Sequence, residues 1–226
     1  MSVALALLPL LAWGTLVGLD LVSVPQMMIA RPIVAGPVAG ALLGDLATGL
    51  ALGVVFELFQ YDILPVGAAR YPEYGPATVA AVSAAHGAGG VAGMGLGVCV
   101  GLVIGYLGGV SIEVVRRLNS RATHAVVARL EAGDTRALVR LHLTGIGRDA
   151  LRAALVTASG LILAALAHGV VAGRLPLRGV ALLDATAGGA ALAAGAAGTL
   201  RLVGRGRNLG WFAAGAAGGL VVAWLR

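Results

Sequence analysis

Cysteine is almost missing from this chain: Cys99 is the single one among 226 residues. No internal disulfide can form, and Cys99, set in an apolar run, reads as a small buried packing residue. Lysine is missing altogether, so all sixteen Lys-plus-Arg positions are Arg. The resulting net charge of +6 would suit a nucleic-acid binder. The arginines instead gather in loops between apolar segments, as the positive-inside rule requires, and this excludes nucleic acid as the partner. Charged residues of either sign are scarce, at 12% against 59% hydrophobic, where a soluble domain carries roughly a quarter charged. Several segments approach or exceed the roughly 20 apolar residues that cross a hydrocarbon core. The chain is therefore read as a multi-pass integral membrane protein.

Other absences bear on chemistry. No Walker-type phosphate loop is present, which argues against ATP-driven transport. No Cys/His spacing suits a metal. No His or Cys stands where it could accept a phosphoryl group. No catalytic residue, metal or cofactor is assigned. The first 24 residues lack a basic leader and a small-residue cleavage site and contain Asp20, so they read as a retained helix.

What is present is most concentrated in residues 31–69, RPIVAGPVAGALLGDLATGLALGVVFELFQYDILPVGAA. The stretch is apolar, yet it holds Arg31, Asp45, Glu57 and Asp62. Ionisable groups at membrane depth cost roughly 2.5–3.5 kcal/mol each on insertion scales, so they line cavities or find partners. Gly and Pro interrupt the stretch throughout, and broken apolar helices with inward carboxylates are how transporters build substrate sites.

Along the chain, residues 3–24 form a first apolar segment. Arg31-Pro32 starts a second, running to about Leu50. Residues 49–61 form a third, and 63–76 a Pro/Gly-rich connection. Residues 77–98 and 98–115 are small-residue-rich segments suited to close helix packing. Residues 116–152 carry eight Arg, with apolar positions Val115, Leu118, Ala122, Val126 and Leu130 on one helical face. Gly133-Asp134 breaks that pattern, and Asp134 can cap a second short helix. This predicts an amphipathic hairpin lying on the cytoplasmic surface. Residues 153–172, 179–200 and 209–225 are further membrane segments, with Trp211 and Trp224 as interfacial anchors. The organisation is an N-terminal membrane region 1–115 with a site core at 31–76, the Arg-rich hairpin 116–152, and C-terminal helices 153–226. The fold class is an all-α integral membrane bundle with broken or re-entrant helices.

The run R-P-x-V-A-G-P-x-x-G-x-x-L-G-D-x-x-T-G at Arg31–Gly49, then Gly53 to Glu57, Pro65 to Ala69 and Pro72-Glu73, resembles the membrane-embedded IIC component of the mannose/fructose/sorbose family of the bacterial sugar phosphotransferase system (PTS). The resemblance implies a permease that carries a hexose inward by an elevator-like motion together with a IID subunit. It implies separate cytoplasmic IIA and IIB proteins that supply the phosphoryl group, and an oligomer of IIC–IID pairs. Two departures favour an alternative, a degenerate IIC-like structural subunit of a larger membrane complex. Residues Pro25 to Ala30 are almost wholly apolar where the family commonly has an acid, a glutamine and a histidine, and the C-terminal part is short.

Four residues are candidates for the sugar site. Glu57 can accept two hydroxyl hydrogen bonds or hold Arg31 structurally. Asp45 can contact sugar or cap a turn with Thr48. Arg31 can neutralise an acid or anchor the chain at the inner face. Gly67, in the turn P-V-G-A-A, would offer backbone groups. Asp20, Asp62 and Glu73 read as solvated interface residues. Asp184 reads as forming a local hydrogen bond and His86 as bonding between helices. His124 and His142 read as solvated, and His168 as an interface residue.

Overall fold

The computed structural model of the chain describes residues 3–61, 63, 69–171, 174, 176–203, 210 and 214. Among them are seven α-helices and no strand: α1 Val3–Asp20, α2 Pro32–Leu43, α3 Leu46–Gln60, α4 Tyr74–Gly87, α5 Met94–Glu131, α6 Thr135–Val171 and α7 Leu177–Val203, with a 3-10 turn at Gly90–Gly93 before α5. Asp62, the turn holding Gly67, the basic pair Arg205 and Arg207, and both Trp211 and Trp224 lie outside the described residues.

The expected second and third segments are two half-helices, divided at Gly44-Asp45 rather than near Leu50. Arg31 is extended, and Pro32 opens α2 where its missing N–H costs nothing. Gly44 closes α2 in the left-handed conformation, φ 72, which glycine adopts without strain. Asp45 then starts α3 by accepting the Thr48 backbone N–H at 3.2 Å. With 12 and 15 residues, the two helices are about 18 and 22 Å long, short of the roughly 30 Å hydrocarbon core. They fold back on each other because their facing positions are glycine. A Cβ at Gly36 would stand 2.5 Å from the Gly49 carbonyl oxygen, and one at Gly40 2.8 Å from Gly49 Cα.

α4 is the centre of the bundle and is buried from Tyr74 to Val82. It packs against α1, α2, α3, α5 and α6. Its Ala, Gly and Thr side chains let five neighbours approach closely.

The membrane helices continue into the Arg-rich region. α5 runs unbroken for 38 residues and α6 for 37, about 55 Å each. The expected separate hairpin is thus the extension of two membrane helices, standing on them rather than beginning a surface element. The reason is local: no Gly or Pro lies between Gly109 and Gly133, so nothing ends the helix at Val115. At the tip, Asp134 caps α6 as expected, accepting the Ala137 N–H at 3.0 Å. That bond, with the Arg129 guanidinium, holds the Asp134 carboxyl below the usual carboxylate range.

Three described helices are long and apolar enough to cross a membrane, Met94–Glu131, Thr135–Gly169 and Arg178–Gly198. Their outward faces are apolar at helical spacing, for example Leu151, Leu155, Ile162 and Leu166 on α6. Cys99 corrects the sequence reading: it is exposed, on the same stripe of α5 as the exposed Val103 and Tyr106. An apolar run in a membrane protein supplies lipid-facing positions as well as core.

Candidate functional site

The half-helix hairpin separates its ionisable residues into two ends. At one end the Arg31 guanidinium bonds Glu57 Oε1, and Glu57 Oε2 accepts the Ile33 backbone N–H at 3.2 Å. Glu57 therefore closes the N-terminus of α2 as well as pairing with Arg31, where the helix dipole favours an anion. At the other end His86 Nδ1 on α4 lies 3.0 Å from Asp45 Oδ2, the helix-to-helix bond expected of that histidine. Asp45 and Glu57 are twelve residues apart on one straight helix, about 18 Å. One monosaccharide cannot touch both. The structure brings Arg31 to Glu57 and sets Asp45 apart.

Three acids depart from their sequence readings. Glu73, expected at a solvated interface, is 0% exposed. Its Oε2 accepts from Arg152 Nη1 at 2.5 Å. Arg152, counted among the surface arginines, is 5% exposed. It also donates to Asp149 Oδ1 at 2.7 Å and to the Gly18 carbonyl at 2.9 Å. One guanidinium thus ties α1, α6 and the start of α4 together. Such a group is retained only with excellent partners, because removing charge from water costs several kcal/mol. Asp20, also expected in water, is 3% exposed. Its two oxygens accept the backbone N–H groups of Met27 at 2.6 Å and Ala30 at 3.0 Å. It thereby holds a loop in which Gln26 and Met28 have positive φ, 59 and 64, a conformation costly for side-chain-bearing residues. Asp184 bonds across helices, accepting the Gly95 N–H at 2.5 Å. His124, His142 and His168 are exposed.

Two cavities meet at Gln60. The larger, about 590 Å³, is lined by Asp20, Leu21, Gln26, Met28, Ala30, Arg31 and Gln60, and its size falls in the usual range for ligand pockets. The smaller, about 10 Å³, touches Gln60, Tyr71 and Glu73 and shares Leu21 and Ala30 with the first. It has room for about one hydroxyl group or water. Among the described residues, Gln60 Oε1 and Glu73 Oε1 are buried with no hydrogen-bond partner. Buried acceptors without donors are rare and each costs about 1–3 kcal/mol. Two of them belong to residues that line one small cavity, where O–H donors would satisfy them.

Sequence reasoning missed Gln60 and Arg152. Gln60 follows Leu52 and Phe56 at i+4 spacing, and both are 0% exposed, so periodicity alone carried the signal that it faces inward. Arg152 stands three residues after Asp149 and at the edge of the membrane segment 153–172, a placement that favours pairing over solvation.

A family profile described as the PTS system sorbose-specific IIC component matches residues 3–221. The sorbose-specific EIIC component of Klebsiella pneumoniae is 31% identical over 125 residues, 55% of this chain and 46% of that protein. The mannose-specific EIIC component of Escherichia coli K12 is 25% identical over 130 residues, 58% and 48%. The fructose permease IIC component of Bacillus subtilis is 29% identical over 131 residues, 56% and 46%. The chain spans about half the length of these relatives. A solved membrane protein shares the fold with TM-score 0.72 at 19% identity, over 100% of this chain and 96% of that one. The complex of the mannose transporter ManYZ with microcin E492 does so with TM-score 0.62 at 21% identity, over 96% and 86%. With its half-helix hairpin, membrane helices and near-complete profile match, the chain belongs to the sorbose-type IIC family of membrane components of the bacterial sugar phosphotransferase system.

Proposed function

We propose that this chain is a sugar-translocating subunit that binds a hexose in the cavity between the 20–31 loop and α3, and moves it inward with a IID-like membrane partner. The observation that carries this reading is the pair of unpartnered acceptors, Gln60 Oε1 and Glu73 Oε1, on one small cavity. A hexose ring lies in the larger cavity, donates one hydroxyl to Gln60 Oε1 where the two cavities meet and sends a neighbouring hydroxyl into the smaller cavity to Glu73 Oε1, so that each acceptor gains its own donor when sugar is bound. Arg31 lines the same cavity and Glu57 orients it. Asp45, with His86, serves the far end of the hairpin as a structural cap. The hairpin, packed glycine to glycine, moves as one body. The Arg-rich ends of α5 and α6 face the cytoplasm, where IIA- and IIB-like proteins would supply the phosphoryl group, and IIC–IID pairs assemble as oligomers. A mannose transporter among its structural neighbours supports a membrane complex of this kind.

The variant Gln60→Leu tests the assignment. Deleting an acceptor that has no partner leaves stability unchanged or improves it. It also removes a hydrogen bond to the sugar, worth about tenfold in affinity. Hexose uptake should fall by about tenfold or more, with membrane level and melting temperature retained. Uptake at the wild-type rate would remove Gln60 from the site.

A further inference from the structure

One outward stripe of α5 runs from Cys99 through Val103, Tyr106 and Val110 to Glu113 and Arg117, at the spacing of a single helical face. It begins apolar, with Val103 and Tyr106 exposed, and ends charged. From Met94, where α5 starts, to Glu113 the helix rises about 29 Å. That is close to the roughly 30 Å of a hydrocarbon core. The charged end of the stripe therefore lies at the inner membrane interface, on the side of the Arg-rich extension.

Three ionised side chains meet there. Glu113 Oε1 accepts from Arg117 Nη2 at 2.9 Å, and Glu113 Oε2 lies 3.2 Å from Arg70 Nη2. The first contact draws the Arg117 guanidinium one turn back toward the membrane instead of out into water. The Arg70 guanidinium lies 5.9 Å from the centre of the Tyr106 ring, which is about two turns deeper on the stripe than Glu113. Arg70 is presented to this face because both its neighbours are held: Arg116 turns the other way and donates to the Ala69 carbonyl at 3.1 Å and the Tyr71 hydroxyl at 2.9 Å. Among the described residues, Glu113 is the one carboxylate that either guanidinium meets. One carboxylate between two guanidiniums leaves a positive charge over. The Arg70 and Arg117 side chains remain 52% and 71% exposed, with donors to spare. A surplus charge at the edge of the hydrocarbon is costly and calls for a partner.

We infer that this end of α5 is a phospholipid site, in which the phosphodiester of an inner-leaflet lipid of the phosphatidylglycerol class bonds Arg70 and Arg117 and the acyl chains lie along Tyr106 and Val103 toward Cys99. Guanidinium groups match phosphate oxygens, and one phosphodiester brings the triplet to neutrality. A phosphatidylcholine headgroup does not, because its own cation restores the surplus. The Tyr106 ring stands where aromatic side chains favour the headgroup boundary. Through Arg70 the lipid ties α5 to the segment entering α4, whose Glu73 N–H already bonds the Gly105 carbonyl at 2.9 Å.

The test is native mass spectrometry of the full chain released from nanodiscs of equal parts phosphatidylglycerol and phosphatidylcholine. Wild type should retain phosphatidylglycerol over phosphatidylcholine by about tenfold or more. Arg70→Gln/Arg117→Gln should erase that preference, with the melting temperature in lipid-free detergent unchanged, because exposed ion pairs contribute little to stability. Arg121→Gln/Arg140→Gln removes the same charge from exposed positions farther along the extension and should keep the preference. Glu113→Gln should keep or sharpen it, since the lipid phosphate then meets two guanidiniums without a competing carboxylate. Equal retention of the two lipids by wild type, or a preference that survives in Arg70→Gln/Arg117→Gln, overturns the inference. So does a preference lost equally in both double variants, which reports only the general positive field, and so does its loss in Glu113→Gln, which makes the triplet purely structural. Displacement of the lipid by excess inorganic phosphate would make this a free-anion site, and lipid-free dimers would place a second copy of the chain on the stripe; either result overturns the assignment to a phospholipid.

Discussion

Arg152 has one side chain that satisfies Glu73, Asp149 and the end of α1 at once. Truncating it leaves two buried carboxylates facing each other. Arg152→Met should destabilise the protein by about 3–5 kcal/mol, seen as a large fall in detergent melting temperature; a fall no greater than that of an exposed arginine such as Arg121 would show the cluster to be solvated. Individual residues were the hardest to read in the sequence. Acids were legible as costly, but not as paired or free, because pairing depends on residues far apart in the chain: Glu73 and Arg152 are 79 positions apart. Where partners lie within one recognisable motif, as Arg31 and Glu57 do, the pairing was foreseeable. Gln60 was overlooked because an uncharged amide draws no attention until its neighbours prove buried.

Helices were better written in the sequence at their breaks than in their continuity. Pro32, Gly44 and Asp45 each act within one turn, so the half-helix hairpin could be anticipated and only the exact cut shifted. The unbroken length of α5 could not, since an Arg-rich stretch changes the solvent of a helix without ending it. The hairpin makes its own prediction. A Cβ at Gly49 would lie 2.5 Å from the Gly36 carbonyl oxygen, whereas nothing lies within 4 Å of one at Gly189 on α7. Gly49→Ala should cost about 1–3 kcal/mol by overpacking, and Gly189→Ala should be neutral or stabilising by up to about 1 kcal/mol. Equal melting temperatures for the two variants would mean that the half-helices do not touch.

For the whole molecule, composition was enough to place the chain in a membrane, and the structure adds which of its faces are apolar and exposed. Cys99 provides a native reporter. In intact membranes it should react with an apolar maleimide and resist a charged, impermeant one; rapid labelling by the charged reagent would place its stripe of α5 in water. The central claim is that a hexose completes a polar site left open between α3 and the start of α4. Its most direct test is a structure of the full chain determined in saturating hexose. One sugar hydroxyl should lie within hydrogen-bond distance of Gln60 Oε1 and a neighbouring one within that distance of Glu73 Oε1, with the ring beside Arg31. A sugar bound at the Asp45–His86 end, with those two acceptors still unpartnered, would contradict the account.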